Sequence, residues 1–262
     1  MRRLLSNILP PLLTAAIICI AIETAVRRGW ILFYLLPQPS KVWASFREPG
    51  TDLWSGSAYA NSLGGLAATA MNASIGFVIS IVAGIALAML LSSNRWIKQA
   101  LYPYAVFFQT VPIIALAPMM IIWLGYGSPT VRGAACIASI FPIIANTYAG
   151  LISTDPAHRD LFRLYRAGLF QTTLKLRLPS ALPSIFTGLR VAAGLAVIGA
   201  IVGEFIGGGG LGEIIVTSQT QQRTEKLFAA VILASLLGLA MVSAINLVSY
   251  LTLRHWHASE RG

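Results

Sequence analysis

Charge is the scarcest property of this 262-residue chain: 11% of its residues are Asp, Glu, Lys or Arg and 56% are hydrophobic, with mean hydropathy +0.73. A soluble domain carries roughly a quarter charged residues, so an ordinary water-facing domain is excluded. Histidine is nearly missing too. His158, His255 and His257 stand at no metal-ligand spacing, and neither do Cys19 and Cys136, so no zinc protease or deaminase centre can be assembled. Both cysteines lie in apolar runs, where a thiol packs as a small hydrophobe. No G-x-S-x-G elbow occurs. Gly207, Gly209 and Gly212 match G-x-G-x-x-G in form, but they follow an apolar helical pattern rather than a strand, and Glu225 ends no predicted strand. A Walker loop is absent as well, because Gly210 is followed by Leu211, Gly212 and Glu213. The chain is therefore read as no enzyme, with no metal, cofactor or nucleotide site of its own.

What the chain has is apolar length. Uncharged runs extend over Leu4–Ile22, Leu53–Asn94, Gln99–Val131, Gly133–Thr154, Val191–Gly203 and Leu227–Leu253, several of them beyond the roughly 20 residues that cross a bilayer. The expectation is an all-α integral membrane protein of about six transmembrane helices. The spans are placed at Ile8–Ala25, Leu66–Leu91, Leu101–Leu124, Gly133–Leu151, Ser184–Ile206 and Leu227–Leu253. The first is read as a retained helix, since Glu23 to Arg28 offers no small-x-small cleavage site. Residues 1–60 then comprise the first helix and an outer interfacial segment rich in aromatics, Trp30 to Tyr59. Residues 61–262 form the core, with a cytoplasmic loop at 153–182. Part of the long second run is expected to lie along the outer surface.

The net charge of +10 comes from 19 Lys and Arg against 9 Asp and Glu. The basic residues are scattered among the loops, which suits membrane topology and not nucleic acid. With both termini cytoplasmic, 12 of them fall inside and 7 outside, in the sense of the positive-inside rule.

Loop 153–182 is the most informative segment. Asp155 followed by Pro156 predicts a helix start, and Gly168 offers a stop. Leu161, Phe162 and Tyr165 form an apolar stripe flanked by Arg159, Arg163 and Arg166. Such a helix either lies on anionic membrane lipid or inserts its stripe into a partner's groove.

Pro103, Pro112, Pro118 and Pro142 interrupt spans three and four, as irregular packing or as the lining of a moving pathway. Gln109 and Thr110 beside Pro112 suit a cavity better than lipid. In span five, Gly199, Gly203 and Gly207 repeat every four residues, a spacing that lets another helix approach closely. Arg190 lies two turns inside that span and snorkels to the interface. Glu204 follows 13 uncharged residues; a carboxylate at that depth serves either as a structural hydrogen-bonding group or as a pathway or gate residue beside Gly203. The Gly207–Gly210 run lets the following segment fold back.

The stretch QTTLKLRLPSALPSIFTGLRVAAGLAVIGAIVG at Gln171–Gly203, followed by Glu204 and Phe205, resembles the inner-membrane permease subunits of bacterial binding-protein-dependent ABC importers of the type I fold. LPQPSKVW at Leu36–Trp43 and VPIIALAPMMIIWLGYG at Val111–Gly127 are similar to the nitrate, sulfonate, taurine and thiamine-precursor branch of that family. Anchored on Leu178 and Pro179, the family's E-A-A motif falls on Asp160, Leu161 and Phe162 and its glycine on Arg166, a departure that leaves Gly168 as the substitute turn and the register open by about two residues. The departure resembles the subgroup for thiamine pyrimidine precursors and riboflavin.

The resemblance implies an ATPase-coupling loop over Asp160, Leu161, Phe162, Arg163, Tyr165, Arg166, Ala167, Gly168, Leu169 and Phe170. It also implies a cytoplasmic ABC ATPase dimer that binds ATP and Mg, an extracytoplasmic substrate-binding protein, and a second permease copy or homologue. The implied location is the bacterial inner membrane. The substrate order is a thiamine-type pyrimidine or riboflavin-like heterocycle, then a sulfonate or taurine, then nitrate or bicarbonate. The rival reading, a self-sufficient secondary carrier or channel, would need intramembrane coupling ions or a polar filter, and the spans offer little beyond Glu204, Gln109, Asn72 and Asn146.

Overall fold

The computed structural model describes residues 2–48, 52–54 and 64–254, and every described element is helical. The histidines at 255 and 257, Arg261, Tyr59 and the stretch expected to run along the outer surface ahead of residue 64 lie outside the described residues.

Helix α1 (Arg2–Arg27) packs against α2 (Pro39–Arg47), where Glu23 accepts hydrogen bonds from the Ser40 backbone N–H and hydroxyl at 3.1 and 2.8 Å. Helix α3 (Gly65–Ser93) is followed by α4 (Arg95–Thr110), α5 (Ile113–Leu124) and α6 (Ser128–Ile152). A short α7 (Pro156–Leu164) and α8 (Leu169–Thr172) lead through a π-helical turn at Thr173–Arg177 into α9 (Leu178–Gly207). Two further helices, α10 (Gly210–Thr220) and α11 (Thr224–Leu253), complete the described chain.

Five helical stretches are long and apolar enough to cross a membrane: Leu9–Arg27, Gly65–Ser93, Ser128–Ile152, Phe170–Gly207 and Thr224–Leu253. The span expected at Leu101–Leu124 is instead divided into α4 and α5. Pro112 supplies no N–H and forces Val111 out of the helical region, to φ −72° and ψ 124°. Pro103, Pro118 and Pro142, by contrast, remain inside helices. The expected fifth span also begins earlier, because helix continues from Leu169 and the loop after α6 is correspondingly shorter.

The core forms around α9, which is flanked by α3, α6, α10 and α11. Lipid offers helices no hydrophobic reason to associate, so close packing of small side chains has to supply the attraction. Ala181, Ala192, Ala193, Ala196 and Ala200 are all fully buried on α9. Gly199 and Gly203 sit directly on the backbone of α6, and Gly207 faces Gly127 and Thr130. Larger side chains, including Phe77, Ile143, Leu151, Ile185 and Phe186, fill the half of the core nearer α7.

A matched pair of substitutions checks this packing. A Cβ at Gly199 would meet the Ala134 carbonyl oxygen at 2.7 Å, whereas at Gly194 it finds only Val242 at 4.0 Å. Gly194→Ala should stabilise the protein by roughly 0.5–1 kcal/mol through helix propensity. Gly199→Ala should destabilise it by about 1–3 kcal/mol through overpacking. Thermal unfolding in detergent micelles reads both; equal shifts would show that α6 and α9 do not meet this closely.

Candidate functional site: an exposed loop patch, a capped re-entrant helix and a cavity

The loop after α6 begins with a capped helix. Asp155 accepts from the Ala157 N–H at 2.8 Å, satisfying one of the free donors of α7. Arg159 reaches back to the Ile152 carbonyl, and Arg163 lies 3.3 Å from Asp160 on the surface. The helix stops earlier than Gly168 would place it: Leu164 is its last residue, and Arg166 takes the left-handed conformation at φ 50°. Gly168 has no positive φ and instead precedes α8.

Exposure sorts the stripe. Phe162 and Ala167 are half-buried, whereas Leu161, Tyr165 and Phe170 stand in the open, together with Leu164 at 81% exposure. Leu164 was not among the stripe residues, although its i+3 relation to Leu161 is a readable signal. Asp160, Arg163, Arg166 and Gly168 form the exposed polar border. An uncovered patch of three large apolar side chains and a tyrosine, ringed by arginine, is chemically suited to a protein groove.

The second feature lies at the opposite end of the bundle. Gly208, Gly209 and Gly210 have φ of 72°, 85° and 65°, which lets the chain reverse from α9 into α10 without a steric penalty. The new helix opens with unpaired backbone N–H groups. Leu211 N–H donates to the Thr69 hydroxyl at 2.8 Å, and Gly212 N–H donates to Glu204 Oε2 at 2.9 Å. Thr69 in turn donates to the same carboxylate oxygen at 2.9 Å. Gly209 N–H is taken by Glu213. Glu204 is 1% exposed, and its other oxygen, Oε1, has no hydrogen-bond partner among the described residues. A carboxylate at the positive end of a helix is favoured on electrostatic grounds as well. Thr69 carried no signal in the sequence, since it lies 135 residues from Glu204 in an unremarkable apolar run.

The third feature is a cavity of about 640 Å³ where the α4–α5 break meets α6 and α9. Gln109, Thr110 and Pro112 line one side, Phe141 and Pro142 another, and Leu195, Ile198 and Val202 of α9 a third; no ionisable side chain lines it. Gln109 and Thr110 are thus brought together with α9, but not with Gly203 and Glu204. Those two residues point elsewhere, Gly203 onto Val131 and Ala134, and Glu204 onto Thr69 and α10. Arg190 is exposed, with Nη2 donating to Ser249 of α11 at 3.0 Å. Among the described residues no group of three His, Cys, Asp or Glu side chains could hold a metal.

Residues 76–257 match the family described as the binding-protein-dependent transport system inner membrane component. The formylaminopyrimidine transport permease protein ThiX of Halalkalibacterium halodurans is 42% identical over 182 residues, covering 69% of this chain and 73% of ThiX. A probable ABC transporter permease protein of Haemophilus influenzae is 29% identical over 92% of this chain and 95% of its own length. Among solved structures, an amino acid ABC transporter with histidines superimposes with a TM-score of 0.56 at 20% identity, covering 73% of this chain and 92% of that one, a likeness of fold.

The capping arrangement makes a specific prediction. Thr69→Val removes the hydroxyl that links Leu211 to Glu204 and leaves a buried N–H unpaired, so it should lower stability by about 1–3 kcal/mol. Thr69→Ser should retain most of the native value. Thermal unfolding combined with limited proteolysis after Gly207 reads the difference; identical behaviour of the two variants would remove the hydroxyl from the cap.

Proposed function

Because the chain belongs to the inner membrane components of binding-protein-dependent transport systems, we propose that the importer it serves takes up a neutral pyrimidine-type heterocycle. The chain itself is an ABC importer permease, a multi-pass inner membrane subunit and not a catalytic one. The 42% identity to a protein named for formylaminopyrimidine transport carries the substrate reading. The uncharged cavity beside Gln109 and Thr110 supports it: a dehydrated nitrate or sulfonate would find no cation there, whereas a neutral ring finds apolar walls and an amide.

In this reading Gln109, Thr110, Ile198 and Val202 line the pathway, and a second permease copy or a related chain closes it. Glu204 works behind the wall, fixing α10 against α3 and α9. The α7 patch docks a cytoplasmic ABC ATPase dimer, which binds ATP and Mg, and both termini lie on that same side. An extracytoplasmic binding protein loads the opposite side. Transport then requires that ATP and the loaded binding protein stabilise different states of the permease.

Two experiments separate the parts. Proteoliposomes holding this permease with its genomically neighbouring ATPase, supplied with the neighbouring binding protein, should accumulate labelled formylaminopyrimidine in preference to taurine or nitrate. Preferential uptake of either anion would overturn the substrate. For the coupling patch, Leu161→Asp with Tyr165→Asp places two charges in the docked apolar surface. The ATPase should be lost on co-purification, by about 100-fold or more in affinity for two disrupted anchor residues, while the unfolding temperature of the isolated permease stays within a few degrees of the unmodified protein. Undiminished co-purification and transport would place docking elsewhere.

A further inference from the structure

Two adjoining features beside α4 extend away from that pathway cavity, with which only the second shares part of its lining. At the membrane end that carries α7, a pocket of about 460 Å³ is lined by Ser92, Asn94, Arg95, Lys98, Gln99 and Tyr148. It contains two cations and no acid. Lys98 is held with its ammonium 4.9 Å from the Tyr148 ring centroid and 5.9 Å from that of Tyr102, contacts that position the charge without neutralising it. Among the described residues no carboxylate pairs with Arg95 or Lys98. Trp96, between them in sequence, is 77% exposed, as suits a side chain at the headgroup level.

Leu91 lines this pocket and also a second cavity, of about 400 Å³, that continues from it between α3, α4, α5 and α6. Its walls are almost wholly apolar, among them Leu87, Leu101, Leu116, Met120, Ile140 and Ile144, with Gln109 as the one polar exception. From Tyr148 at the head to Ile137 at the far end is about 16 Å along α6. That matches one leaflet, about 15 Å, of the bilayer's hydrocarbon core.

A basic, hydrogen-bonding head pocket opening into an apolar groove one leaflet deep has the polarity of a single amphiphile. We infer that the permease carries a bound anionic phospholipid, with its phosphodiester between Arg95 and Lys98 and one acyl chain in the groove between α3, α4 and α6. A free phosphate would leave the groove unfilled, and a zwitterionic lipid would leave the cations uncompensated. The acyl chain would end beside Gln109, Ile137 and Phe141, which also line the cavity at α9, so lipid occupancy would brace the broken α4–α5 segment. This site does not depend on which substrate is transported.

Native mass spectrometry of the assembled importer, released from nanodiscs of mixed phosphatidylglycerol and phosphatidylethanolamine, tests the inference. The unmodified complex should retain phosphatidylglycerol at one molecule per permease. Arg95→Gln with Lys98→Gln should cut that preference by about 25-fold, taking each cation near the surface as worth roughly 5-fold, whereas Arg28→Gln, at the opposite membrane end, should leave it unchanged. The groove is tested on the unmodified protein: dioleoyl lipid should displace dihexanoyl lipid of the same headgroup, and Leu116→Trp should abolish that chain-length preference. Four results would overturn the inference: equal retention of both headgroups; selectivity surviving loss of both cations; full displacement by millimolar inorganic phosphate, which would make the pocket a free-anion site; or no retained lipid because a second permease copy covers the groove.

Discussion

A helix that begins inside an apolar layer presents backbone N–H groups that no water can satisfy, and each one left unpaired there costs several kcal/mol. Helix α10 begins with the Leu211 and Gly212 N–H groups buried in the protein, folded back against α3 and α9 by three glycines with positive φ. Thr69 and Glu204 answer its free donors from two different helices. The cap therefore closes a triangle: α9 supplies the carboxylate, α3 the hydroxyl and α10 the N–H groups. Gly210 is required by conformation and by crowding against the Glu204 carboxylate, and Gly212 by crowding against the Glu204 Cβ and the Ile201 carbonyl oxygen. A carboxylate that looks costly in an uncharged span is thus the residue that makes the hairpin admissible.

The same constraint assigns the two faces of α9. One face must carry small residues, because Gly199, Gly203 and the alanines bring it onto the α6 backbone and keep Glu204 within reach of Thr69. The other face is then free to remain uncovered within the protomer, and there Val191, Ile198 and Phe205 are exposed at nearly two-turn spacing. Close packing and exposure thus fall on different faces of the same helix.

The apolar runs made the long helices legible, because run length is a property of contiguous residues. Asp155 with Pro156 likewise announced the start of α7, since a cap and its helix are neighbours in sequence. The end of α7 was misplaced at Gly168 because a non-glycine, Arg166, adopts the positive φ, a choice that propensity does not foresee. Division of the third span required knowing which proline would break a helix. Pro112 does so with Val111 extended before it, whereas Pro142 stays inside its helix. Glu204 was legible as an anomaly but not as a cap, because its partner Thr69 and its client α10 are joined to it only by the fold.

The continuity of helix from α8 through the π-helical turn into α9 bears on how a docked ATPase would act. Phe170–Gly207 is 38 residues, about 55 Å of helix at 1.5 Å per residue, against a hydrocarbon core of about 30 Å. On the α7 side the stretch ends at Phe170, one of the exposed patch residues. One helical backbone joins this end to the Glu204 cap at the other. Between the two ends, the π-helical Thr173–Arg177 segment is the place where regular hydrogen bonding is interrupted. Bending would concentrate at that turn, outside the packed alanine core, so α9, α6 and α10 would move as one body while α7 follows its partner. Helix α10, at the far end, is tied through Glu204 to the same long helix. The carboxylate cap and this one long helix thus join the two ends of the bundle structurally.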